Sequence, residues 1–495
     1  MRIFSTLQAF PYHVAGIILF FLTHGYSEYP RLVPLADLFL YFFSMLIVAT
    51  AFMFIFFKLT GSYHKAGLLT SYILLVYLFF GAILDAFKYS GWLHPLSRYS
   101  ILLPGLFLLF LAGYFLIKRS RRNFRKLTLY LNTFCILIVV FDLVNIGLRL
   151  GKSERTTQQE ETVDAAVCIG CQKPDIYLVV IDEYCGSSSL KSYFNYDNSR
   201  FETFLRNRGF FVATRPTSNY MATSLSMAST FDMNYLSWTS AGKKIQVEDY
   251  SRAEETITNS NLIKYLTDLN YEVENYSIFK INNQPSRFNT GLLPSELELI
   301  TFKTLFNRMN KDLVWHLHQK AAPRFRWLAN HFQNNFREGN HTLLELTTKA
   351  LQVKSERPRF IYTHLMMPHY PCLYDSIGRE ANTNFYDPRI SKKELDEAYL
   401  QYLVYTNKVV STLVEDIQDK TANKAVISVM SDHGYRGINV KTENAWSNNN
   451  FLSVYLPSGK YEKFYSSISN VNFFRCVINS LFDENLPRLK DSIVN

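Results

Sequence analysis

A bundle of about five membrane-crossing helices, followed by an α/β sandwich domain with a mostly parallel central sheet, is the architecture this sequence predicts. Three observations carry the expectation. Apolar runs near 20 residues recur through the first third of the chain, a polar stretch ends them, and beyond it short, continuous apolar runs alternate with helical stretches. The 495 residues are 48% hydrophobic and 19% charged, with 40 Phe and 32 Tyr, which is too apolar and aromatic for a disordered or fibrous protein. Six cysteines are too few for a scaffold built on disulfides.

A helix needs about 20 apolar residues to cross the hydrocarbon core. Leu38–Phe57, Ala66–Leu84 and Tyr99–Ile117 are such runs, and Leu127–Leu148 is another, interrupted by Asp142. The segment around Pro11–His24 is weaker and has two readings, a first span or a signal peptide. A single Arg2 and the lack of an Ala-x-Ala site before Pro30 favour the span. The loop charges orient the bundle. Lys58 and Lys65 lie in one loop, and Lys118, Arg119, Arg121, Arg122, Arg125 and Lys126 in another, while the opposite loops carry Arg31, and Lys88 with Arg98. This places the N-terminus in the cytoplasm and everything after about residue 150 outside, in a multi-pass cell membrane. Asp85 and Asp142 are functional candidates as acids within spans, although Asp85 sits near a span end, where charge costs little.

The formal net charge of +10 invites a nucleic-acid reading, but its distribution removes it. Residues 1–150 hold 13 basic and 4 acidic side chains; the remainder holds 39 and 38. The excess belongs to the membrane loops, so no nucleic acid is expected as a partner.

The expected division is 1–150 transmembrane, 151–172 linker and 173–495 a single extracytoplasmic domain. Gly151–Asp164 is polar and reads as a tether. Cys168 and Cys171 form a C-x-x-C, a spacing used by redox and metal sites; without a second Cys or His pair nearby, a local disulfide or a plain juxtamembrane turn is favoured. Ile176–Ile181, Phe360–His364 and Ala425–Met430 are apolar runs of the buried parallel-strand type. Ser199–Arg208 and Asn261–Leu269 read as helices. The amphipathic region from about Thr301 to Val353, with Trp315, Phe325, Trp327 and Phe332, is either a helical insert on the core or a surface lying on lipid headgroups.

Ligands of parallel α/β sheets gather at the carboxyl ends of strands. Asp182-Glu183 follows the first run, Ser431-Asp432-His433-Gly434 the last, and His364 with His369 stands at the end of the middle one. Carboxylates and an imidazole in those places suit a divalent cation, whereas a lone strand-end Asp is as often a helix cap. Thr223, between a loop and a helical run, has two readings as well. It is a simple cap, or a nucleophile whose hydroxyl a metal activates.

The order of Asp182-Glu183, the Thr223 segment and Asp432-His433-Gly434 resembles the alkaline phosphatase/sulfatase superfamily. More narrowly, it is similar to the membrane-anchored sulfatase-like branch that includes lipoteichoic acid synthases and phosphoethanolamine transferases. The resemblance implies an alkaline phosphatase-like catalytic domain at 173–495. It implies a divalent metal ion, Mn, Mg or Zn, held by Asp182 or Glu183, both kept as candidates, with Thr223, Asp432 and His433; Thr223 is then the nucleophile, and His364 and His369 contact substrate. A membrane phospholipid would donate phosphoethanolamine or phosphoglycerol to an envelope glycan or lipid acceptor. The alternatives are a phosphodiesterase or phosphatase using the same site, and a degenerate non-catalytic member. No Cys begins C-x-P-x-R and S-x-P-x-R is lacking, which argues against a genuine sulfatase. No His follows His433, which argues for one principal metal site over a two-zinc arrangement.

Overall fold

The computed structural model describes residues 7–28, 33–152, 172–240, 247–288, 297–310, 326–381, 390–437 and 447–494, with positions 242, 245 and 312. The chain divides into two compact units. One comprises Met1–Glu160 together with Pro294–Leu317, and the other Glu161–Leu293 together with His318–Asn495. Cys168 and Cys171 lie outside the described residues, as does most of the predicted tether.

The first unit contains α1 (His13–Glu28), α2 (Leu35–Thr60), α3 (Tyr63–Tyr89), α4 (Tyr99–Arg119) and α5 (Arg125–Lys152). Helices α2 to α5 are each long and apolar enough to cross a membrane. Helix α1 has 16 residues, or roughly 24 Å at 1.5 Å per residue, short of a hydrocarbon core of about 30 Å. Its ends are tied to α5 by polar contacts: the His13 ring lies 2.9 Å from Asn132 Oδ1, and His24 Nδ1 3.5 Å from Asp142 Oδ1. Asp85 is paired with Arg308.

Arg308 belongs to the returning segment, which bears two short helices, Glu298–Thr301 and Leu305–Met309. The expectation of one amphipathic region from Thr301 to Val353 in a continuous 173–495 domain therefore differs from the structure. Its beginning groups with the membrane helices, and its described remainder, the helix Arg326–Ala350, with the second unit. Helix α3 shows how the segment is seated. Phe79 departs from helical geometry at φ −109° and ψ 16°, and the Gly81 N–H donates to the Lys303 carbonyl at 2.7 Å. A Cβ at Gly81 would come within 2.9 Å of that carbonyl oxygen, so glycine permits the approach. Leu305 adds apolar cover over Phe80, Leu84 and Leu102. Trp315 and Phe325 lie outside the described residues, as do the side chains of Trp327 and Phe332.

Among the described residues, the second unit is built on a mixed six-stranded sheet in the order β2-β6-β5-β1-β4-β3. The strands are β1 (Ile176–Ile181), β2 (Phe211–Val212), β3 (Glu272–Tyr276), β4 (Arg359–Leu365), β5 (Val426–Met430) and β6 (Leu452–Tyr455). β1 runs parallel to β4 and β5, and β3 parallel to β4, while β6 pairs antiparallel with β5 and β2 with β6. Every residue of β1, β4 and β5 is buried, which explains why these three read as mainly apolar runs without polar alternation: both faces are covered. Helix Lys392–Lys420 starts with a capping box between Ser391 and Glu394. It buries Tyr399, Leu403, Val410, Leu413 and Ile417, positions spaced for one helical face.

Candidate metal and phosphoryl site

Three adjacent parallel strands deliver their carboxyl ends to one place. Asp182 follows β1, and its N–H donates to the Leu365 carbonyl at 3.0 Å. Glu183 then takes a left-handed backbone, φ 61°, a conformation that costs a non-glycine residue about 1 kcal/mol or more. Its N–H donates to Asp432 Oδ1 at 3.0 Å, and its carbonyl accepts from the Tyr399 hydroxyl at 2.8 Å. The turn is thus fixed by the loop after β5 and by the long helix.

The Asp432 carbonyl is held in turn by Ser226 Oγ at 2.5 Å and Asn470 Nδ2 at 2.9 Å. Gly434 is needed beside it, because a Cβ there would sit 2.5 Å from the carbonyl oxygens of both Ser447 and Asn449. Thr223 is the first residue of helix Thr223–Asp232, where backbone N–H groups are unpaired and favour an anion.

These elements bring Asp182, Asp432 and His433 together, one ligand atom of each within 4.8 Å of the others and all buried. Thr223 Oγ1 lies 3.5 Å from Asp182 Oδ2 and 3.3 Å from His433 Nε2. His433 Nδ1 donates to the Gly434 carbonyl at 2.7 Å, leaving the lone pair of Nε2 for the site. Asp182 Oδ1 and Asp432 Oδ2 are buried and take no hydrogen bond among the described residues. Two orphaned carboxylate oxygens beside an imidazole lone pair fit a divalent metal ion.

The electrostatics of the site agree with that fit. Burial would raise the Asp182 carboxyl, but His369, His364 and His433 around it outweigh burial and hold it below the usual carboxylate range. Asp432 is pushed up to about 6 by burial and then by the Asp182 charge. Two carboxylates facing each other in this way are relieved by a cation between them. Burial, with the Arg436 charge, lowers His433 to about 3, keeping its ring neutral.

The remaining expected residues, Glu183, His364 and His369, lie around that cluster. Glu183 directs Oε1 to the Arg436 N–H at 2.8 Å and Oε2 toward His369 Nε2 at 3.6 Å. His364, expected at the substrate, is completely buried. Its Nε2 lies 3.3 Å from Asp182 Oδ2, and its Nδ1 accepts from the Tyr362 hydroxyl at 2.6 Å. That geometry sets the ring between the Asp182 carboxylate and the Tyr362 hydroxyl. Sequence reasoning missed Arg436, whose Nη2 donates to Thr223 Oγ1 at 3.0 Å and also faces His433 Nε2. Its only signal was its place three residues after His433.

The family model described as Sulfatase matches residues 192–476. Solved structures similar to this chain include the integral membrane protein lipooligosaccharide phosphoethanolamine transferase A from Neisseria meningitidis, at 11% identity, covering 95% of each chain with a TM-score of 0.38. The soluble domain of that transferase is similar at 14% identity, 66% of this chain, 92% of that one and a TM-score of 0.41. The C-terminal periplasmic domain of EcEptC from Escherichia coli is similar at 12%, 63%, 82% and 0.37 in the same order. No curated protein matches the sequence.

Proposed function

The chain belongs to the sulfatase family as a sulfatase-like enzyme of the alkaline phosphatase superfamily, and from that premise we propose a membrane-bound, metal-dependent transferase of phospho-headgroups. The donor is a phospholipid, with phosphoethanolamine or phosphoglycerol as the group moved, and the acceptor is a hydroxyl of an envelope glycan or lipid. The observation that carries the reading is Thr223 Oγ1 at a helix start, within 3.5 Å of both Asp182 and His433. Absence of C-x-P-x-R from the sequence speaks against sulfate-ester hydrolysis by formylglycine.

In the first half-reaction Thr223 Oγ forms a bond to phosphorus. The bond from phosphorus to the lipid alcohol breaks, and that alcohol departs with a proton. In the second, the acceptor oxygen bonds to phosphorus, the bond to Thr223 breaks, and Thr223 regains its proton. A divalent ion at the site supplies polarisation of the phosphoryl oxygens and a more acidic Thr223 hydroxyl. Asp182, Asp432 and His433 hold that one principal ion, His364 orients Asp182, and Glu183 with His369 borders the opening. The helix start directs N–H groups at the phosphoryl oxygens.

We read α1, together with residues 7–12 that lead into it, as a fifth span, and the loop charges set the N-terminus in the cytoplasm with the catalytic unit outside. Tethering that unit to a bilayer raises the effective concentration of a lipid donor. The test is intact mass spectrometry of the detergent-purified protein after incubation with bacterial phospholipid and Mn²⁺. A phospho-headgroup adduct on wild type that Thr223→Ala lacks is expected; an equal adduct on both overturns the assignment. Headgroup found on an acceptor, in place of headgroup merely released, separates transfer from hydrolysis.

A further inference from the structure

Arg436 is held at several points along its own length. Its backbone N–H donates to Glu183 Oε1 at 2.8 Å, its Nε to the Met221 carbonyl at 3.0 Å, and its Nη2 to Thr223 Oγ1 at 3.0 Å. The residue is exposed, so the fork enters the site from its open side while the carboxylates and His433 close the buried side. The same Nη2 faces His433 Nε2, so the guanidinium is directed at the place where Asp182, Asp432 and His433 would hold a cation, which it repels. Two positive groups directed at one oxygen repel unless an anion lies between them. A phosphoryl group on Thr223 Oγ supplies that anion, with non-bridging oxygens in reach of the planar fork.

We propose that Arg436 is a catalytic residue that binds the non-bridging oxygens of the transferring phosphoryl group. The proposal rests on the reading of Thr223 as the group that accepts phosphorus. It has a rival in the same geometry: Arg436 as a strut that only fastens the loop after His433 to the Met221 segment.

Full-length protein in detergent, loaded with Mn²⁺, separates the two. Inorganic phosphate is titrated by calorimetry into wild type, Arg436→Ala, Arg436→Lys and Thr223→Ala. The rate of adduct formation with phosphatidylethanolamine vesicles is followed by mass. The expected result for Arg436→Ala is phosphate affinity at least tenfold weaker and adduct formation slowed about 10²-fold, the loss typical of one removed oxyanion donor. Its Mn²⁺ affinity does not fall, and its melting midpoint stays at the wild-type value. Arg436→Lys falls between, because a point charge replaces the fork. Arg436→Ala with wild-type phosphate affinity overturns the proposal, and so does a variant in which Mn²⁺ and phosphate affinities fall together. Wild type that binds phosphate but forms no adduct, with binding weakened in Arg436→Ala, removes the Thr223 reading and keeps the anion site.

Discussion

His364→Phe tests whether this histidine supports a carboxylate or touches substrate. The ring is fully buried, and phenylalanine conserves most of its volume, so little cavity is created. What is lost is polar: Tyr362 loses the acceptor of its 2.6 Å hydrogen bond, and Asp182 Oδ2 loses the imidazole 3.3 Å away. A buried group left without a partner costs about 1–3 kcal/mol; Tyr362 is so left while Asp182 Oδ2 keeps the Thr223 hydroxyl at 3.5 Å, so the metal-free protein is expected to lose about 1–3 kcal/mol of stability. Removing the partner that orients a ligating group typically lowers metal affinity about 10–100-fold, or roughly 1.4–2.7 kcal/mol. Calorimetric titration of Mn²⁺ into metal-free protein, with no substrate present, reads this directly. A Kd within twofold of wild type, accompanied by a raised KM for the lipid donor, would refute the reasoning and return His364 to the substrate.

Other consequences are equally measurable. Gly434→Ala places a Cβ 2.5 Å from two backbone oxygens; the loop must move, and a loss of about 1–3 kcal/mol with impaired Mn²⁺ binding is expected in thermal melts and titrations. Asp175→Ala strips Arg359, whose Nη2 lies 2.8 Å from Asp175 Oδ2 and whose side chain is 6% exposed, of its main partner. The uncompensated buried charge should cost about 3–5 kcal/mol by denaturant unfolding, with Glu274 at 3.3 Å softening the loss. Burial pushes the Cys185 thiol up to about 12 and Cys476 up to about 11. Raised values keep both protonated at pH 8, so iodoacetamide should modify them only after denaturation; labelling at native rates of an exposed thiol would contradict the burial.

The parts of this molecule legible in the sequence are those written in a single, strong signal. β1, β4 and β5 are buried on both faces, so their residue types alone announced them, and with them the positions of Asp182 and Asp432. β3 escaped because its Glu272-Val-Glu-Asn-Tyr276 alternates polar and apolar in only five residues, and β2 because it is two residues long. His364 was legible as a strand-end histidine but not as a buried one. Which way a side chain leaves a strand covered on both faces is set by pairing register, here His364 beside Val180, and composition does not carry it. Arg436 was invisible for a different reason: arginine in a loop is ordinary, and its meaning lies in Met221 and Thr223, more than 200 residues earlier. The place of the returning segment was not legible because Leu305 declares that it needs covering without declaring that Phe80, Leu84 and Leu102 cover it.

That return has a practical consequence for anyone cutting the protein. Because residues 294–317 belong with the N-terminal helices, no single scission separates the two units cleanly. A fragment beginning at residue 173 would lack every predicted span and still carry Leu305 without Phe80, Leu84 and Leu102. It would carry Arg308 without Asp85, and Asp312 without the Tyr99 hydroxyl that donates to it at 2.7 Å. Such a fragment should be sticky in aqueous buffer and tamed by mild detergent, and deleting the 294–317 stretch along with the spans is the remedy the fold suggests.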